Sequence, residues 1–143
     1  MTKRMLLALL AMAGVAIAAY LTLYKTGAIG ELACTVGSCE TVNTSKWSML
    51  AGMPVAAWGL AYYVLLLAVA LAGVQERWSE SLAVSRALLV LTVWGVLFSG
   101  WLTYLELFVI HAICVWCVTS AVLVTVMCVV SAIEYREQVA VHR

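Results

Sequence analysis

The chain has 143 residues, 66% hydrophobic and 10% charged, against roughly 45–50% apolar and about 25% charged in an average soluble protein. Eight Lys and Arg against seven Glu and no Asp leave a net charge of +1, too little to mark a polyanion binder. A soluble enzyme, a disordered chain and a nucleic-acid binder are excluded, and an all-α integral membrane protein remains, one domain over residues 1–143.

Uncharged apolar runs predict four spans, each near the ~20 residues that cross a ~30 Å hydrocarbon core. The first covers Met5 to Tyr24. Lys3 and Arg4 before it and Ala-Ile-Ala-Ala within it also fit a cleaved signal peptide, but the run exceeds the usual apolar region of one, so it is read as a span. Residues 25–53 then form a long loop holding Cys34 and Cys39. Gly52 and the single proline, Pro54, turn the chain back into the second span, Pro54 to Val74, with Pro54 suited to the first helical position. The third span runs from about Ala87 to Leu105 and the fourth from about Ala112 to Ile133. Backbone groups in lipid must pair internally, so the spans are helices forming a four-helix bundle. Gly14, Gly59, Gly95 and Gly100 permit close helix contact.

Basic residues orient the bundle. With the N-terminus inside, Lys3, Arg4, Arg77, Arg86, Arg136 and Arg143 are cytoplasmic and only Lys25 and Lys46 are outside, as the positive-inside bias demands. Both termini are then cytoplasmic, the loop 25–53 and the short link Glu106 to His111 face outward, and Glu76, Arg77, Glu80 and Arg86 form a solvated inner face. Trp47, Trp101 and Tyr104 suit the outer interfacial belt.

Four of the five cysteines fall on the outer side: Cys34 and Cys39 in the loop, and Cys114 and Cys117 as Cys-Val-Trp-Cys opening the fourth span. Residues three apart share a helix face, and a helix N-terminus favours thiolate, the species that attacks disulfides. In an oxidising compartment two such pairs suit a redox relay. Two inert structural disulfides are the bland alternative. A four-thiol zinc site, with His111 as a further ligand, is disfavoured by the cost of placing its charge at membrane depth, so no metal is expected. Cys128 lies about 21 Å further along the helix than Cys114 and reads as a small buried apolar residue.

The order Cys34…Cys39, Asn43-Thr44-Ser45-Lys46-Trp47, Gly52-Met53-Pro54, Trp58-Gly59, then Tyr104 to Cys-Val-Trp-Cys resembles the vitamin K epoxide reductase family, in particular short bacterial homologues without a fused thioredoxin-like domain. The resemblance implies a four-helix bundle around a quinone, capped by the outer loop, in a bacterial cytoplasmic membrane. It implies that Cys34 exchanges with a separate thioredoxin-like extracytoplasmic protein, that Cys39 passes electrons to Cys114, and that Cys117 reduces the quinone, menaquinone or ubiquinone. Ser45 matches the family's loop serine and supports the loop pair. Where vertebrate members use an asparagine and a tyrosine to hold the vitamin K head group, this chain has Val55 and Ala121, which points to a plain quinone rather than the epoxide.

Trp58 and Tyr62, at i and i+4 on the second span, are candidates for the quinone wall beside Val55 and Ala121. Charged residues end spans, so Glu106 and His111 are read as solvated at the membrane surface, with proton transfer to the reduced quinone as the alternative. Two other classes compete. A small four-span transporter needs an acidic residue deep in a span, and Glu106 reads as an end residue. A structural subunit with inert disulfides has no need of a Cys-x-x-Cys at a helix start. The unrelated four-span quinone-linked oxidase of the bacterial disulfide pathway carries its Cys-x-x-Cys in the first outer loop instead.

Overall fold

A computed structural model describes residues 3–27, 46, 49–112 and 114–142. Cys34, Cys39, Ser45 and Trp47 lie outside the described residues. Four helices are long and apolar enough to cross a membrane. Helix α1 spans Lys3–Lys25 and α2 spans Val55–Val74. Helix α3 covers Leu82–Tyr104 and runs on as a π-helical segment, Leu105–Ile110, and α4 covers Val115–Val141.

A helix lies at each of the four expected spans, and three boundaries differ for local reasons. Pro54 is the residue before α2, with φ −58° and ψ 140°, rather than its first helical residue. Helix α3 starts at Leu82, five residues before the expected Ala87, because the Ser81 hydroxyl caps the Val84 N–H at 3.5 Å. Helix α4 continues to Val141 because Glu134, which ends the apolar run, is buried against a partner from the other end of the chain.

That partner is Arg4. Its Nε donates to Glu134 Oε1 at 3.0 Å. Its Nη1 donates to the carbonyls of Gly73 and Trp78 at 3.0 and 2.6 Å, and its Nη2 to the Ser81 carbonyl and Ser85 hydroxyl at 2.9 and 3.0 Å. A guanidinium has five N–H donors, and all five are engaged. The start of α1, the end of α2, the 75–81 turn, the start of α3 and the end of α4 thus converge on one side chain. Lys3 pairs with Glu137 beside it at 3.0 Å. Between α2 and α3, Glu76, Arg77 and Glu80 are exposed, and so is Arg86 at the start of α3, as a solvated face requires.

The apolar core joins Leu7, Ala8, Ala11 and Ala18 of α1 to Tyr63, Leu66 and Ala70 of α2, Leu88 of α3 and Met127 of α4. Gly14 makes the α1–α2 contact possible, since a Cβ there would overlap the Tyr63 ring. Gly95 does the same for Tyr62, whereas Gly59 and Gly100 have open space where a Cβ would be.

Just before α2 the chain forms a minimal hairpin, β1 (Met49–Leu50) against β2 (Met53–Pro54), with Met49 opposite Pro54 and Leu50 opposite Met53. Its two turn residues, Ala51 and Gly52, both have positive φ, 52° and 81°, the pattern of a two-residue turn matched to strand twist. The Trp58 indole N–H donates to the Leu50 carbonyl at 2.9 Å and ties the hairpin to α2.

Candidate functional site

The site is built at the bundle end opposite Arg4, where α4 begins. Cys114 is the residue before α4, extended at φ −103° and ψ 114°, and its carbonyl accepts the first helical bond from the Val118 N–H at 2.9 Å. Cys117 is therefore third in the helix, on the same face as Cys114. The two side chains are hydrogen-bonded to each other. Cys114 is fully buried, packed with Leu21 of α1 and with Ile17, Tyr20 and Trp116 around it. Trp116, between the cysteines, meets Tyr20 edge-on at a centroid distance of 5.3 Å, fixing α4 against α1. The hydrogen bond from Cys117 draws the Cys114 thiol below the ordinary cysteine range, with burial opposing it.

Cys117 faces a cavity of about 650 Å³ enclosed mainly by α2 and α3, within the ~300–1,000 Å³ of small-molecule sites. Val55, Trp58 and Tyr62 line it with Cys117. Ala121 is half-buried on α4 and is not among the lining residues, and Cys114 sits behind the wall rather than in it. The Tyr62 hydroxyl donates to the Leu91 carbonyl at 2.5 Å, and Tyr63 is paired with the Ser120 hydroxyl at 2.7 Å. Their polar ends are thus occupied, and the rings present apolar surface. Trp58 of α2 and Trp94 of α3 line the cavity while 41% and 62% exposed on the outside of the bundle. The cavity thus reaches the outside of the bundle between α2 and α3. Cys128 is half-buried further down α4 and does not line the cavity.

Glu106 overturns an expectation. Read from sequence as solvated, it is only 4% exposed and lines the cavity. Its carboxyl shares the cavity wall with Cys117 and lies close enough to interact with that side chain and with the Cys114 backbone. The π-helical segment puts it there. Residue spacing changes from i→i+4 to i→i+5 over Leu105–Ile110, turning Leu105 and Glu106 inward while Leu107, Phe108 and Val109 face out. The N–H groups of His111 and Ala112 both close onto the Glu106 carbonyl. His111 ends the segment in the left-handed region at φ 57°, which histidine visits more readily than most residues, and its side chain is exposed as expected.

Four membrane-length helices around an apolar cavity, with a dithiol pair and a carboxyl at one end, define a multi-pass membrane protein whose site suits oxidation and reduction. The model of the Vitamin K epoxide reductase family matches residues 5–132, and the chain belongs to that family. Its members are membrane thiol oxidoreductases coupled to quinone. Among the described residues no cluster of His, Cys, Asp and Glu is arranged to hold a metal ion.

Proposed function

We propose that the protein takes electrons from a thioredoxin-like partner through Cys34 and Cys39, passes them to Cys114 and Cys117, and delivers them to a quinone, so sustaining disulfide formation outside the cytoplasmic membrane. The observation that carries this reading is the placement of the vicinal pair. Cys117 opens into the cavity, whereas Cys114 is packed behind it toward α1. One sulfur thus faces the cavity that would hold the acceptor and its neighbour does not, and the delivering pair, Cys34 and Cys39, is assigned by motif. Ser45 is assigned a supporting role on the same basis.

The residues present suit a quinone head group. Trp58, Tyr62 and Val55 offer aromatic and aliphatic walls, and the sideways opening between α2 and α3 suits an isoprenoid tail that stays in lipid. With valine rather than a polar residue at position 55, the wall favours menaquinone or ubiquinone over an epoxide. A quinone accepts two electrons and two protons, and this sink sets the direction of thiol exchanges that are otherwise near balance. The Cys114 thiol, held below the ordinary cysteine range, is the better leaving thiolate when Cys34 resolves a Cys39–Cys114 mixed disulfide and leaves the vicinal pair reduced. The bias of the basic residues supports an orientation with both termini in the cytoplasm and the cysteines outside.

The test is quinone absorbance in detergent micelles with reduced thioredoxin-like oxidase as donor, comparing wild type with each Cys→Ala variant. Reduction should require Cys34, Cys39, Cys114 and Cys117 but not Cys128. Cys117→Ala should abolish quinone reduction and retain a mixed disulfide with the donor at Cys34. Equal loss of both reactions in Cys117→Ala would refute the order of the relay, and no reduction by wild type would refute the function.

A further inference from the structure

We propose that Glu106 is the catalytic proton carrier of the Cys117–quinone step, an inference that rests on the relay described above. Three observations carry it. Glu106 is the carboxyl among the described residues that line the cavity. It shares the cavity wall with Cys117 and interacts with that side chain, the sulfur that faces the cavity. Its position depends on a π-helical segment, a local irregularity that frequently marks functional sites, and on a backbone bond from Cys114, the other member of the pair.

Lys25 also lines the cavity, from the end of α1, and three hydroxyls of its wall are committed elsewhere. Tyr62 donates to the Leu91 carbonyl, Tyr63 is paired with Ser120, and the Thr103 hydroxyl donates to the Ser99 carbonyl at 2.8 Å. A buried carboxyl with no structural purpose is costly in a membrane segment and marks function by default. Glu134, the other buried carboxyl, has such a purpose in holding Arg4. The partners of Glu106 are the two redox cysteines.

Oxidation of the pair forms one Cys114–Cys117 S–S bond and breaks two S–H bonds, and two electrons and two protons pass to the quinone to yield the hydroquinone. Glu106 takes the Cys117 proton, which raises the nucleophilicity of that sulfur, and returns it at a quinone oxygen. The second proton, that of Cys114, reaches Glu106 before Cys114 closes onto Cys117 and leaves from the same carboxyl for the other quinone oxygen. At the end of each turnover the carboxylate is regenerated, so no further acid or base is consumed.

Glu106→Gln keeps shape and removes the proton-carrying group. Stopped-flow reoxidation of the reduced variant by a soluble quinone in micelles should be about 100-fold slower than wild type. A second readout needs no quinone: iodoacetamide modification of Cys117 in fully reduced protein, mapped by mass spectrometry, should also slow in Glu106→Gln. A merely structural glutamate would leave that rate unchanged or, by loosening the wall, raise it. Reoxidation less than about tenfold slower, or unchanged Cys117 modification, overturns the proposal. If Glu106→Gln does not fold, Glu106→Asp carries the test, with both rates expected below wild type and unaltered rates overturning it. Failure of wild type to reduce quinone would refute the relay, whereas the alkylation arm would still decide whether Glu106 acts on Cys117.

Discussion

Replacing Arg4 should unlock the bundle at the end away from the cysteines. Arg4→Met keeps the aliphatic stem and removes five donors: one to Glu134, three to backbone carbonyls and one to Ser85. It strands Glu134, which is 5% exposed and whose second oxygen already has no partner. Removing one member of a buried pair costs about 3–5 kcal/mol, because the remaining charge is left unpaired. The lost carbonyl bonds act at the same spot and do not simply add to this, so Arg4→Met should lose about 4 kcal/mol. Glu134→Leu should lose less, since Arg4 keeps four of its five bonds. The double variant Arg4→Met/Glu134→Leu should be more stable than Arg4→Met alone, with a coupling of about 0.5–3 kcal/mol. Equilibrium unfolding in mixed micelles, followed by circular dichroism, reads all four stabilities. A loss below about 1 kcal/mol in Arg4→Met, the range of an exposed pair, would refute the view that this side chain holds the four helices together. So would a double variant as unstable as the sum of the two singles.

Gly14→Val places a branched side chain where the Tyr63 ring lies, and should destabilise the bundle by about 1–3 kcal/mol through overpacking; Gly100→Val, where a Cβ meets open space, serves as the control in the same unfolding assay. Ala51→Gly relieves a left-handed alanine in the hairpin and should stabilise it by about 1 kcal/mol, read as a raised midpoint of thermal unfolding. The lowered Cys114 thiol should ionise, and so react with methanethiosulfonate, at lower pH than a free cysteine. Removing the hydrogen bond by Cys117→Ala should move that profile to higher pH, and an unmoved profile would show that Cys117 is not its cause.

The helices were legible because apolar length is a one-dimensional signal. Their ends were less so. The apolar run of α4 stops at Glu134, and nothing near position 134 announces that its partner is Arg4, 130 residues away. The start of α3 was hidden by Arg86, although Ser81 is a good N-cap residue and could have located it. The cysteine pair was legible through its spacing of three, which a helix turns into a shared face. Glu106 was not. Its charge near an apparent span end reads as solvated, and a shift to i→i+5 bonding has no sequence period to reveal it. One signal was available: Leu107, Phe108, Val109 and Ile110 continue the apolar run past Glu106, so the carboxyl lies within the run rather than at its close.

A carboxyl buried in a span is also what a proton-coupled exporter requires, so the burial of Glu106 removes the ground on which sequence alone set that class aside. Its surroundings restore the distinction on firmer terms. An exporter needs its acid to exchange a proton with a cargo near mid-membrane, reached alternately from both sides. Glu106 sits at the end of α3, within hydrogen-bonding reach of Cys117 and of the Cys114 backbone. The opposite end of the bundle is fastened through Arg4 to α1, the 75–81 turn, α3 and α4 at once. Opening that end would break a five-donor junction around a buried charge, a cost of several kcal/mol in each cycle. A fastened end around Arg4 and a redox-capable end around Cys114 and Cys117 suit a protein that moves electrons and protons over a few ångströms rather than one that opens alternately at both ends.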